Sequence, residues 1–178
     1  MRVAGFDLKL WIAQGFGIGR IPVAPGTFGS LPGLAWFALL VSLGNVWWFS
    51  AGVIGGFFVS VWLCGEGEKI LQQKDPGSVV LDEITAIPLC FAGWLVVIAM
   101  KTGGWPGCGF FFTNGRWRWT LLIFAAFRAF DVVKPWPVKQ SQRLPGGWGI
   151  TVDDFLAAIY VSVVTAVSRL ILSYFRSL

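Results

Sequence analysis

Five apolar runs organise this chain, at 31–43, 46–63, 84–100, 119–133 and 155–175, and polar residues gather between them. A bilayer-spanning helix needs about 20 apolar residues, with a usable range of about 17 to 25. The second, third and fifth runs meet or approach that length. The first and fourth are short, which predicts tilted, re-entrant or neighbour-screened helices. Gly44-Asn45 is a turn signal that makes the first two runs a helical hairpin. Trp47, Trp48, Trp105, Trp117, Trp119 and Trp136 fall at or near the expected helix ends, where indoles favour the headgroup zone. The expected architecture is all-α: a single integral membrane domain over 1–178 with about five apolar helices, four to five of them spanning.

Composition supports lipid as the solvent. Of 178 residues, 56% are hydrophobic and only 13% charged, about half the roughly 25% charge of a soluble domain. Mean hydropathy is +0.70. The start of the chain lacks the pattern of a secretory signal. Histidine is absent, which excludes histidine phosphatases, Ser-His-Asp hydrolases and histidine-bearing zinc sites. The three cysteines, Cys64, Cys90 and Cys108, have no metal-ligand spacing, and Cys64 and Cys90 are expected in the core. A phosphatase cysteine loop needs an Arg six residues on, where Ile70, Val96 and Asn114 stand instead. Chemistry therefore falls to nine carboxylates.

If all five runs cross, every one of those nine acids lies on or beside one face. Nine of the fourteen Lys and Arg residues share it, leaving Lys101, Arg116, Arg118, Arg169 and Arg176 on the other. The positive-inside rule then makes the acidic face cytoplasmic.

Three segments carry the polar groups of that face. In IPVAPGTFGSLPG, residues 21–33, Gly26, Gly29 and Gly33 free the backbone, and Thr27 and Ser30 supply hydroxyls before an apolar helix with Pro32 near its first turn. Such a loop suits a phosphate or is a plain Pro/Gly turn. It lacks the Lys-Ser/Thr ending of a nucleotide-binding P-loop. In KDPGSVVLDEITA, residues 74–86, Asp82 and Glu83 open the third run. The two acids there are costly against lipid unless a cation compensates, although a helix start favours acids in any case. In FRAFDVVKPWP, Arg128 and Asp131 are three apart on one helix face inside an apolar run, either a functional pair or a self-neutralising one. LPGGWGITVDDF then places Asp153 and Asp154 before the last run, repeating the geometry of Asp82 and Glu83.

Carboxylates without His or reactive Cys form the ligand set of a hard dication such as Mg²⁺. A dication shared by Asp82, Asp131 and Asp153 or Asp154 could polarise a phosphoryl oxygen. Arg20, Lys74, Arg128, Lys134, Lys139 and Arg143 are cations able to hold phosphate. The expected partner is a phospholipid in the membrane, with no nucleic acid. A transporter or channel would place such charges near mid-bilayer in broken helices, and a lipid phosphotransferase would need a second substrate site.

At these residues the chain resembles the phosphatidylglycerophosphatase A family. The matching strings are APGTFGSLPG, DPGSVVLDEITA, FRAFDVVKPWPV and GGWGITVDDFLAAIY, in the order and spacing of that family. The resemblance implies an all-helical, Mg²⁺-dependent lipid phosphatase of the bacterial inner membrane. Family members convert phosphatidylglycerophosphate to phosphatidylglycerol with release of phosphate. It further implies that Asp82, Glu83, Asp131, Asp153 and Asp154 are the catalytic and metal-binding acids. Arg128, Lys134, Arg20 and the 26–30 segment (Gly26, Thr27, Ser30) would then grip the substrate phosphate. Thr151 stands where Met is usual in the family, and Ala86 and Ala158 where Gly is usual; these departures touch packing rather than carboxylates.

Overall fold

Each apolar run becomes a helix, and all five helices reach at least two residues beyond their runs into flanking sequence. The computed structural model describes residues 6–175; Arg2 and Arg176 of the charge count lie outside the described residues. In chain order the helices are α1 (Leu8–Ala13), α2 (Pro25–Ser42), α3 (Val46–Leu71), α4 (Leu81–Thr102), α5 (Gly109–Phe112), α6 (Trp117–Val133), α7 (Val138–Ser141) and α8 (Gly147–Phe175), with a 3₁₀ turn at Ile18–Arg20. Among the described residues there is no strand, so the all-α expectation holds.

α3, α4 and α8 are long and apolar enough to cross a membrane. α2 and α6, the two short runs, have 18 and 17 residues. At 1.5 Å per residue they rise about 27 and 26 Å, a little under the ~30 Å hydrocarbon thickness.

Local chemistry sets the boundaries. The Asn45 side chain accepts from the amides of Trp47 and Trp48 and caps α3, while Gly44 takes a left-handed conformation (φ 78°) that turns the chain out of α2. α2 begins earlier than expected. Pro25 occupies its first turn, where a fixed φ and a missing N–H are harmless, and Ala24 before it is left-handed. The 26–30 segment is therefore helix rather than loop, and Pro32 lies in the helix interior. α8 likewise starts at Gly147, so Asp153 and Asp154 sit in its second turn instead of preceding it.

α4 is the axis of the bundle. In its most apolar stretch 61% is buried within the protein, against 22% for α3 and 28% for α8, so α4 is screened from lipid by its neighbours. Glycines permit those close approaches. A Cβ on Gly33 of α2 would fall 2.6 Å from Ile87 of α4, and one on Gly93 of α4 would strike the Ser162 carbonyl of α8. Gly147 lies equally close to the Val61 carbonyl of α3.

The five long helices alternate in direction. At one end Trp105 Nε1 donates to the Val41 carbonyl (3.0 Å) and its ring meets Phe49, joining the end of α2 to the start of α3. Arg169 of α8 lies over Trp94 of α4 and Trp119 of α6 at that same end. An aromatic core of Phe37, Phe91, Trp94 and Phe111 fills this half, with Phe37 and Phe91 stacked at 3.9 Å. The other end gathers the start of α2, the end of α3, the starts of α4 and α8 and the end of α6. The acids are concentrated there.

Candidate active site

The first turn of α4, the first two turns of α8 and the last turn of α6 meet around a cavity of about 290 Å³ whose lining includes Asp75, Asp82, Glu83, Asp131, Lys134, Asp153 and Asp154. All five acids singled out in the sequence are thus brought together, from three helices separated by up to 72 positions in the chain. Asp82, Asp153 and Asp154 are buried.

Two cations hold the cluster. Arg128, one turn before the end of α6, lies 3.0 Å from Glu83 Oε2 and 3.0 Å from Asp131 Oδ2. The pair foreseen on one helix face is therefore half of a bridge to α4. Arg128 also donates to Ser30 Oγ (3.3 Å). Ser30 in turn donates within reach of Glu83 Oε2 and the Gly26 carbonyl, each at 2.6 Å. Gly26 is needed for this contact: a Cβ there would collide with Glu83 Oε1 and come 2.7 Å from Arg128 Nη2.

Lys134 caps α6 in a left-handed conformation, which swings its side chain back over the helix end. Its ammonium bonds Asp153 Oδ2 and stands 3.8 Å from Asp131 Oδ1. Burial alone would lower the Lys134 pKa; the Asp153 hydrogen bond and the charges of Asp153, Asp131 and Asp154 outweigh it, so the group is held above its ordinary value and stays cationic. Tyr160 of α8 donates to the Trp136 carbonyl (2.7 Å) and its ring stacks on Phe130, fixing the turn that carries Lys134.

The remaining expected residues are placed differently. Arg20 donates to Gln14 Oε1 (2.7 Å), and Gln14 donates to Ser78; this links the 3₁₀ turn to the segment before α4 without bringing Arg20 into the cavity lining. Thr27 is exposed on α2 and does not line the cavity. Two residues enter that sequence reasoning did not select. Gln142 donates to Asp153 Oδ2 (3.0 Å) and approaches Asp75 (3.4 Å), and Asp75 itself lines the cavity. Asp75 stood inside the matched string DPGSVVLDEITA, a signal that could have marked it; Gln142 had none.

The donor set suits a hard cation. Six carboxylates line the cavity with one lysine, and Arg128 pairs with two of them from the side. Asp82 Oδ1 and Asp153 Oδ1 are buried with no hydrogen-bond partner, which is unfavourable for anionic oxygens unless a cation or polar ligand satisfies them. Among the described residues no three acidic or sulfur side chains already converge in ligating geometry, and Lys134 stands between Asp131 and Asp153 in their place.

Alternating apolar helices with a carboxylate-lined cavity at one end define a helical membrane protein with an acidic, phosphate-compatible site. The comparisons narrow this. A model of the phosphatidylglycerophosphatase A family matches residues 11–169. A phosphatidylglycerophosphatase A of Haemophilus influenzae is 36% identical over 86% of this chain and 83% of its own length. One of Escherichia coli K12 is 33% identical over 83% and 76%. A Bacteroides thetaiotaomicron protein, provisionally named a phosphatidylinositol-3-phosphatase, is 34% identical over 91% and 94%. No solved structure matches. The chain belongs to the phosphatidylglycerophosphatase A family.

Proposed function

We propose that this protein hydrolyses the terminal phosphate monoester of phosphatidylglycerophosphate, giving phosphatidylglycerol and inorganic phosphate. The observation that carries the reading is the convergence of Asp82, Glu83, Asp131, Asp153 and Asp154 with Arg128 and Lys134 around one cavity in a member of this family. The same five acids are the proposed Mg²⁺ ligands, and the unpartnered oxygens of Asp82 and Asp153 support that assignment. When bound, Mg²⁺ supplies Lewis-acid stabilisation of charge on the phosphoryl oxygens.

The chain's own residues do the rest. Arg128 Nε is buried without an acceptor, so this guanidinium keeps a donor for a phosphate oxygen while Glu83 and Asp131 fix its plane. Lys134 is the second phosphate cation, and it moves from Asp153 to the substrate as the site fills. Water attacks phosphorus in line, a carboxylate of the cluster takes its proton, and the glycerol oxygen departs and is reprotonated. Burial of the acids at the end of the bundle supports a reaction at headgroup level.

The excess of Lys and Arg at the acidic end, nine against five, supports a cytoplasmic orientation. Together with the bacterial relatives it supports the inner membrane as the location and a role in phospholipid biosynthesis. A second substrate, phosphatidylinositol 3-phosphate, is favoured by the name of the Bacteroides relative alone.

Phosphate release by the purified protein tests both readings. With phosphatidylglycerophosphate, release should require Mg²⁺, stop on chelation, and fall at least about a thousandfold in Asp153→Asn, which keeps its helical circular dichroism. Metal-independent turnover, or a faster rate on phosphatidylinositol 3-phosphate, would overturn the corresponding part.

A further inference from the structure

The acid-lined cavity has two exposed edges of opposite character. Three apolar side chains other than glycine line it: Val79 and Ile150 are only 5% and 4% exposed, whereas Val132 is 74% exposed. Val132 lies in the last turn of α6, and its neighbours Val133 and Trp136 are exposed as well. The other edge is formed by Asp75 and Gly77, both exposed, in the segment between α3 and α4. Beyond it lies a separate polar cavity of about 290 Å³, shared through Asp75 and Ile150, whose wall includes Glu68, Lys74 and Gln142.

The apolar edge is braced from within. Lys134 follows Val133 in a left-handed conformation and its ammonium turns inward to Asp153, so the one charge of this turn is withdrawn from the rim while Val132, Val133 and Trp136 stay exposed. The Tyr160 bond to the Trp136 carbonyl and the stack of Tyr160 on Phe130 hold the turn in place. An exposed indole at the end of an apolar helix suits the headgroup zone. At the opposite edge Gln142 donates to Asp153 and approaches Asp75, which keeps that side polar.

Hydrolysis of a lipid phosphomonoester acts on an amphiphile. The reacting phosphate is polar, and one glycerol unit away stands the diester that carries the acyl chains. With the phosphate among the acids, the rest of the lipid has to cross an edge of the cavity. Crossing at Asp75 would set acyl esters against carboxylates and water, an unfavourable exchange. Crossing at Val132 sets them against apolar surface and leads to the lipid around α6. We propose that the diacyl part of the substrate lies across Val132, beside Val133 and Trp136, and that Val132 is a specificity-determining residue that favours diacyl phosphomonoesters over water-soluble ones. The Asp75 edge then stays open to water. This assignment rests on the hydrolytic reading above and adds to it the direction from which the lipid enters.

Equilibrium binding by the purified full chain, at fixed detergent and Mg²⁺, tests this without turnover. The probes are two phosphonate analogues of phosphatidylglycerophosphate that resist hydrolysis, one dioleoyl and one lacking acyl chains. The parent should bind the dioleoyl probe at least about tenfold tighter. Val132→Asn should cut that preference about tenfold, the effect of setting an amide against apolar groups, and Trp136→Ala should cut it about threefold. Both side chains are exposed, so neither change opens a void in the core. Leu122→Asn, at an equally lipid-facing position near the other end of α6, should keep the parental preference. No preference in the parent, an unaffected Val132→Asn, or an equal loss in Leu122→Asn would overturn the proposal. Phosphate release from phosphatidylglycerophosphate judges the hydrolytic reading separately: a parent that shows the Val132-dependent preference yet releases no phosphate would overturn that reading and uphold the edge.

Discussion

Gly26→Ala isolates the contact on which the cationic side of the acidic site depends. The added methyl would collide with Glu83 Oε1 and lie 2.7 and 3.2 Å from the two terminal nitrogens of Arg128. These atoms are the ends of long side chains, so they can withdraw, and the stability penalty should stay near the low end of overpacking, about 1 kcal/mol. For a chain of this size that is about 2–4 °C in Tm. Withdrawal nonetheless breaks what places Arg128: its 3.0 Å pairing with Glu83 and the 2.6 Å bond from Ser30 to that carboxylate. A hydrogen bond to a charged group contributes about 1.5–3 kcal/mol; lost from the transition state, it corresponds to a fall of roughly 10- to 150-fold in rate. The expected result is a kcat/KM at least tenfold lower on phosphatidylglycerophosphate, with melting nearly unchanged. Gly55→Ala is the control, because nothing lies within 4 Å of a Cβ there, and it should match the parent in both measurements. Gly29→Ala should show the opposite split. Its Cβ would sit 2.6 Å from the Cβ of Val80, a rigid neighbour, so melting falls more than activity. A Gly26→Ala protein with parental kcat/KM would refute the claim that the start of α2 orders the Glu83–Arg128 pair.

Three further substitutions probe the remaining supports. Gly147→Ala should lower Tm by well over 5 °C and reduce activity with it, because the new methyl strikes the Val61 carbonyl and displaces the helix that carries Asp153 and Asp154; thermal unfolding in detergent checks this. Gln142→Ala removes one of two donors to Asp153 Oδ2 and should lower kcat about tenfold in the phosphate-release assay, with Tm within a few degrees. Arg128→Lys keeps the charge, but a single ammonium cannot bridge Glu83, Asp131 and Ser30 as the guanidinium does, so steady-state kinetics should show about a hundredfold loss in kcat/KM.

The features legible in the sequence were those written in neighbouring positions. Apolar runs gave five helices because a bilayer-scale helix is encoded by contiguous residues, and the Gly44-Asn45 turn was visible because its two residues each perform a local task. Asp82-Glu83 and Asp153-Asp154 were conspicuous as acids beside apolar sequence. Where partners come from different helices, spacing was silent. Arg128 and Asp131 are three apart and read as a pair, yet the same guanidinium also bridges to Glu83, 45 positions away. That bridge forms only because Gly26 lets α2 approach, and nothing around a single glycine announces which carboxylate it faces. The start of α2 was misplaced for a related reason: Pro-Gly-Thr reads as a turn, and its helical state follows from packing against Val80, the residue before α4, and against Glu83 and Ile87 of α4. Gln142, a neutral residue in a connecting segment, acquires its role solely from lying beside Asp153. The carboxylates themselves were recoverable from local pattern, while the groups that order them are products of helix crossing. Substitutions at Gly26 and Gln142 therefore test the structure in a way that removing another aspartate cannot.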